Sequence, residues 1–465
     1  MTKRNLLLSA FVCFTSYNVF AGGLLTNTNQ SASFLRNPSR DAIIDIDGVY
    51  TNPAGVAFMP KGFHLGFTLQ NAKQQRNVTT TFPTLAQNVN YFREDTRKYE
   101  GDALAPVVPS IQAAYVSDRW SVGAAVAIGG GGGKCEFEDG IGSFEAPYSL
   151  FPTLMNRQLA NVNPAMASYV KGYSMDMYMK GRQYYWNLQV GGTYKITDNL
   201  AVGVGGRFVL ASCSYKGYVR DIKLYSDPAT EIPAAALSAY GINMDAYNIS
   251  LNTDQSGLGF TPFLSVDWKI NEHWNLAVKY EFKTRMRLHN HTGNAVYPDT
   301  VAAVLAQFDE SKVKKVAEDI PGIVTVGAQY SPIPTVRINC GFHYYDDTHA
   351  TRYGDKHKTI NHGTTEITAG VEWDVAPFIT VSAGYQKTNY DLSDEYMNDM
   401  SFNNSSHLLG LGCRLNVSKT VSVDLGYMRN FYKSKDVTTM LQGQEKKDHY
   451  KRENRVFAVG VNMTF

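Results

Sequence analysis

Apolar residues occupy every second position along many stretches of this chain. At the C-terminus Phe457, Val459, Val461, Met463 and Phe465 share one phase, while Ala458, Gly460, Asn462 and Thr464 share the other. A period of two marks a strand with one greasy face and one small or polar face. The pattern recurs in Val421, Val423, Leu425 and Tyr427, in Leu409, Leu411, Cys413 and Leu415, and in Ile379, Val381, Ala383 and Tyr385. It recurs again in Val336, Ile338, Cys340, Phe342 and Tyr344, and in Trp274, Leu276, Val278, Tyr280 and Phe282. Fourteen strands are predicted, over 62–71, 109–117, 120–129, 184–196, 200–218, 258–269, 274–290, 321–331, 335–346, 364–373, 378–389, 405–416, 420–431 and 455–465.

The connections carry a second pattern. Six are short, such as Ser117-Asp118-Arg119, Thr197-Asp198-Asn199 and Ser418-Lys419, and seven are long, near 72–108, 130–183, 219–257, 291–320, 347–363, 390–404 and 432–454. Short and long alternate throughout. A β-sandwich has no reason to obey that rule. An outer-membrane barrel does, with short periplasmic turns and long outer loops. The predicted fold is all-β, a 14-stranded antiparallel transmembrane β-barrel. Closure removes the sheet edges that an open sheet would expose to lipid.

Composition agrees. Only 18% of the 465 residues are charged, against 44% hydrophobic, with 39 Gly, 29 Tyr and 23 Phe. Mean hydropathy is −0.26, and no apolar run beyond the N-terminus is long enough for a membrane helix. Lys3 and Arg4 precede an apolar run from Leu6 to Phe14, and Val19-Phe20-Ala21 offers a cleavage site, so residues 1–21 read as a secretory signal peptide. Without Lys3 and Arg4 the chain balances 42 bases against 42 acids, which gives no electrostatic case for nucleic acid. Residues 22–60 then precede a barrel over 61–465. They are too long for a simple tail and are expected either to plug the lumen as a hatch or to trail as a polar segment, since a barrel this wide needs water or a plug.

The stretch Tyr50-Thr51-Asn52-Pro53-Ala54-Gly55-Val56-Ala57-Phe58 before strand one resembles the N-terminal hatch of the long-chain fatty acid and aromatic hydrocarbon transporter family of Gram-negative outer membranes. Ser31-Ala32-Ser33 and Asp45-Ile46-Asp47 fit the looser pattern ahead of it. Gly192-Thr193-Tyr194-Lys195-Ile196-Thr197-Asp198-Asn199-Leu200 is similar to a strand-turn-strand stretch of that family, and the terminal Phe465 is typical of outer-membrane barrels as a signal to the barrel assembly machinery. The resemblance implies a monomer in outer-membrane lipid and lipopolysaccharide, plugged by its hatch. It implies passive uptake of hydrophobic small molecules, which enter from outside, bind a pocket near the loops and leave sideways at a kinked third strand. That strand ends here in Gly129, Gly130, Gly131, Gly132 and Gly133, which could open the wall or merely begin a flexible loop. The long loops depart from better-known members, so no carboxylate-binding residue carries over. A porin for polar solutes and an adhesive or structural surface barrel are the rival readings.

Several residues stand out by phase. Arg207, Lys279, Glu281, Lys283, Arg285, Arg287, Arg337, His343, Glu366, Glu372 and Arg414 are expected inside, because a base on the lipid face costs about 2–4 kcal/mol at the midplane. They form either a salt-bridge network holding hatch to wall or a basic patch for an acidic head group, with Asp45 and Asp47 as hatch mates. Phe151, Met155, Met166 and Tyr173 belong to a Met/Tyr-rich outer stretch that either lines an apolar entry groove or packs as a loop core. Residues 298–318 and 231–240 read as short helices in the outer loops. The cysteines form no CxxC, the histidines make no metal set, and no GxSxG or HExxH is present. Neither enzyme activity, a cofactor nor a metal is expected.

Overall fold

The computed structural model describes residues 26–27, 30–399 and 402–465. The expected signal peptide lies outside them. The strands are β1 (Gly62–Thr81), β2 (Thr96–Val116), β3 (Trp120–Phe137), β4 (Gly172–Lys195), β5 (Leu200–Asp227), β6 (Thr230–Glu231), β7 (Ile249–Lys269), β8 (Trp274–Glu281) and β9 (Arg287–Val296). They continue with β10 (Lys315–Ala317), β11 (Ile323–Ile333), β12 (Val336–Tyr345), β13 (Ile360–Ala376), β14 (Ile379–Leu392), β15 (Ser406–Asn416), β16 (Val421–Tyr432), β17 (Lys435–Leu441) and β18 (Gln444–Thr464).

These make a closed antiparallel barrel of fourteen staves. β8 with β9 forms one stave, β10 with β11 another, and β6 and β17 only extend hairpins at the outer end. The first and last strands zip together from His64↔Thr464 to Thr81↔Lys447, which leaves no edge. Phe465 completes the seam: its N–H donates to the Phe63 carbonyl at 2.8 Å, and its own carbonyl accepts from the Phe63 N–H at 3.1 Å.

Alternation places the side chains. On β7, Leu258, Phe260, Leu264, Val266 and Trp268 face outward, while Thr253, Gln255, Thr261, Ser265 and Asp267 are buried inside. At the short-turn end, aromatic pairs such as Tyr115–Trp120 and Trp274–Tyr330 form a girdle where lipid meets water.

The wall differs from the sequence reading in two ways. Strands run further outward than predicted, with 24 residues in β4 and 28 in β5, although about 9–11 suffice to cross. Beyond the lipid both faces of a strand meet water or cap, so the period-two signal fades while the backbone ladder continues. The predicted single strand 274–290 is broken. Pro262 on β7 has no N–H to offer the ladder; its carbonyl accepts from Phe282 N–H at 3.0 Å, and β8 ends there. The inward phase moves from Glu281 to Thr284, Met286 and Leu288. The helices expected over 298–318 and 231–240 shrink to short turns around Ala302–Leu305 and Ala234–Ala239.

The long connection between β3 and β4 folds into two helices, Gly142–Tyr148 and Phe151–Val162. They pack with the outer ends of β4, β5, β7 and β9 and with the turn at Val301–Phe308 into an apolar cap.

Candidate functional site

Residues 30–59 run inside the barrel and are almost entirely buried. Ser31 caps the helix Ala32–Arg36 by accepting from Phe34 N–H at 3.1 Å. Its apolar side packs Ala32, Phe34 and Leu35 on Leu408, Met428, Val456 and Ala458 of the wall. Further along, Ile46, Val49, Tyr50 and Val56 pack on Ala114, Val116 and Ala125. Asn52 caps the next turn through Gly55 N–H at 3.3 Å, Pro53 fills its first position, and Ala54 is wholly buried. The Asn52 amide also donates to Asp267 on β7 at 2.5 Å.

Glycines on the inner wall make room for this segment. A Cβ on Gly426 would sit 2.6 Å from the Ala32 carbonyl, one on Gly327 2.5 Å from Asp41 Cβ, and one on Gly123 2.9 Å from Val49. Gly341, Gly370, Gly384 and Gly410 meet Asp41, Asn37, Pro38 and Leu35 still more closely.

Charge then ties hatch to wall. Arg36 donates to Glu372 at 2.7 Å and to Asp424 at 3.0 Å. Arg40 reaches Glu372 at 3.1 Å and grips Asp47 through two nitrogens at 2.7 and 2.8 Å. Arg414 on β15 bridges hatch Asp45 at 2.7 Å and wall Asp424 at 2.8 Å, and Arg337 pairs with Asp374 at 2.7 Å. Across the lumen, Arg207 and Lys279 share Glu281 at 2.6 and 2.7 Å. Lys279 also donates to the Tyr50 carbonyl at 2.8 Å, and Arg207 lies 4.5 Å from the Tyr50 ring. His343 stands between hatch Asp41 at 2.9 Å and wall Glu366 at 3.0 Å.

The wall is interrupted above the hatch. The β2–β3 ladder runs from Val116↔Ser121 to Ser110↔Ala127 and resumes only at Ala103↔Cys135. On its other side β3 slips register against β4 at Ile128, Gly130 and Gly133. Gly131 and Gly133 take φ of 101° and 67°, backbone that few other residues tolerate. Pro106 and Pro109 lie in the stretch of β2 that has no β3 partner, and neither has a backbone N–H to donate. A cavity of about 170 Å³ lies beside the gap, lined by glycine-run residues, by alanines and aliphatics, and by polar groups of β1, β18 and the hatch start at Thr26 and Asn27.

The model of the outer membrane protein transport protein family (OMPP1/FadL/TodX) matches residues 182–465. The chain belongs to this family. It is an outer-membrane transport protein whose lumen holds a folded segment rather than an open porin channel. Solved structures share the fold. A Pseudomonas aeruginosa FadL homologue superimposes with a TM-score of 0.63 at 14% identity, covering 96% of this chain and all of that one. The Pseudomonas putida toluene transporter TodX gives 0.57 at 14%, covering 97% and 100%, and the Ralstonia pickettii toluene transporter TbuX 0.55 at 12%, covering 96% and 99%. No curated protein sequence matched.

Some site expectations for this FadL/TodX-family barrel need correction. Lys283 and Arg285 are exposed, not luminal, because the β8–β9 break shifts the phase after Glu281. Lys283 instead donates to the His349 carbonyl at 3.0 Å, and Arg287 pairs with Asp319 at 2.5 Å. Phe151, Met155 and Tyr173 line no open groove: all three are fully buried in the cap, with Met166 packed against them. Asp47 is held by Arg40 of the hatch itself, so only Asp45 of the two aspartates reaches the wall.

Sequence reasoning missed Arg36 and Arg40, which lie in a segment without strand or helix period. It also missed Glu145, a fully buried carboxylate that accepts from Arg97, Asn88, Tyr99 and Tyr173 at 2.6–2.9 Å and so locks the cap to β2 and β4. In the loop before β13, burial and nearby Arg352 bring the Lys356 ammonium down to about 7.

Proposed function

We propose that the protein carries hydrophobic small molecules passively across the outer membrane. The ligand enters through the cap, rests in the cavity above the hatch and leaves sideways between β2 and β3. The observation that carries this reading is the coincidence of a filled lumen with an interrupted wall. The ionic network closes the axial route to polar solutes, while the missing ladder at Gly129–Gly133 offers an apolar ligand a path that never crosses the periplasmic plug. Desolvation of the ligand drives binding at about 25 cal/mol per Å², and its gradient drives transfer. The similar structures TodX and TbuX are of toluene transporters, which places small hydrocarbons among the ligands to test. The barrel acts as a monomer, with lipid and lipopolysaccharide around it and Phe465 as its assembly signal.

Proteoliposomes test the reading. Sugar-driven swelling should stay at the protein-free level while uptake of a hydrophobic probe rises several-fold above protein-free vesicles. Swelling at porin rates would overturn it.

A further inference from the structure

The cavity beside the wall gap is not uniformly apolar. Arg76 on β1 and Arg452 on β18 stand directly opposite each other in the ladder, and both line it. Like charges placed directly across strands repel. Elsewhere in the lumen such bases are matched by carboxylates: Arg36, Arg40, Arg207, Arg337 and Arg414 all have acidic partners. Among the described residues Arg76 and Arg452 make no ion pair. Arg76 donates to the Gln74 amide oxygen at 2.7 Å. Arg452 donates to Asn403 at 3.3 Å and lies 4.8 Å from the Tyr432 ring. Its Nε is buried with no hydrogen-bond partner. The residues outside the described set contain no Asp or Glu that could neutralise the pair.

The rest of the lining divides in two. Amides of Gln74, Asn403 and Asn454 flank the arginines, whereas Ala105, Val108 and Ile128 lie toward the gap. The cavity's 170 Å³ is close to the roughly 150 Å³ that takes up a benzene-sized guest.

We infer that Arg76 and Arg452 form a head-group site that selects a small amphiphilic acid over a neutral hydrocarbon. The carboxylate lies between the two guanidiniums, and the apolar body points at the gap between β2 and β3. An anion there relieves the repulsion and supplies the missing acceptor for Arg452 Nε. Charge-assisted bonds to guanidinium are the strong class of hydrogen bond. The inference rests on the transport reading above and specifies its ligand.

Two probes with one apolar body separate the possibilities: benzoate and benzyl alcohol. Binding is measured by calorimetry on the whole barrel in nanodiscs, and uptake in proteoliposomes. The wild type should bind the acid about tenfold more tightly than the alcohol, with only the acid's affinity falling as salt rises. In Arg76→Gln/Arg452→Gln the preference should shrink to within about twofold while alcohol binding persists. Arg455→Gln, which removes an outward charge, should keep the wild-type preference. Equal wild-type affinities for acid and alcohol, insensitive to salt, would overturn the head-group site yet leave transport standing. If neither probe binds or crosses, the transport reading itself fails. The wild-type comparison requires no variant and decides the matter even if the double substitution misfolds.

Discussion

Arg36 touches Glu372 and Asp424 on two different strands, so one side chain clamps the hatch helix to the wall. Removing one partner of a buried pair leaves the other charge unpaired, at a cost of about 3–5 kcal/mol. Arg36→Leu should therefore loosen the hatch and raise single-channel ion conductance in planar bilayers; a conductance at the wild-type level would show that the hatch is held otherwise. Asp45→Asn should act in the same direction through Arg414, and Asp47→Asn less, since Asp47 binds within the hatch. In the loop before β13, the folded Lys356 ammonium is held down to about 7 from its ordinary 10.5. Between those values the unfolded chain binds more protons, so the stability of this loop's packing rises as pH climbs from about 7 toward about 10. Amide exchange in residues 353–359 should slow over that range beyond its intrinsic pH trend, and Lys356→Met should abolish the change. Of these residues, the sequence allowed the wall bases of regular strands to be placed, because phase sets their direction, and Asp45 to be matched to them through the resemblance to the family's hatch. It did not reveal Arg36, Arg40 or Glu145, whose positions depend on how a coil segment and a loop helix dock.

Strand phase was legible wherever lipid enforces it. All fourteen staves lie where alternation placed them, and the short turns fall at one end. Legibility stopped where a second constraint replaced lipid: at the outer strand ends, and at Pro262, where a lost donor breaks β8 from β9 and turns Lys283 and Arg285 outward. The glycines carry a further signal. Gly327, Gly341, Gly370, Gly384, Gly410 and Gly426 recur on the inner phase of successive staves and mark where the hatch passes. Substituting one of them tests the hatch's fit: Gly426→Leu should either prevent heat-modifiable barrel formation or displace the hatch and raise conductance. A barrel that folds normally with unaltered conductance would show that the helix Ala32–Arg36 does not need that space.

At the scale of the whole molecule, the barrel joins a closed axis to an interrupted side. The hatch network, the glycine belt and the apolar cap all fill the lumen, whereas proline on β2 and glycine on β3 unpick one seam of the wall. A Cβ on Gly133 would lie 3.7 Å from Ala105 Cβ across that seam, close to the mean spacing of about 3.8 Å in disulfides. Cysteines at both positions, in a background lacking Cys135, Cys213, Cys340 and Cys413, would bring two thiols within bridging distance; the φ of 67° at Gly133 strains that substitution, so normal folding and full uptake of the reduced variant are the required controls. Uptake of a hydrophobic probe into proteoliposomes should collapse in the oxidised Ala105→Cys/Gly133→Cys variant and return on reduction, with ion conductance constant throughout. Undiminished uptake in the fully cross-linked barrel would contradict lateral exit between β2 and β3.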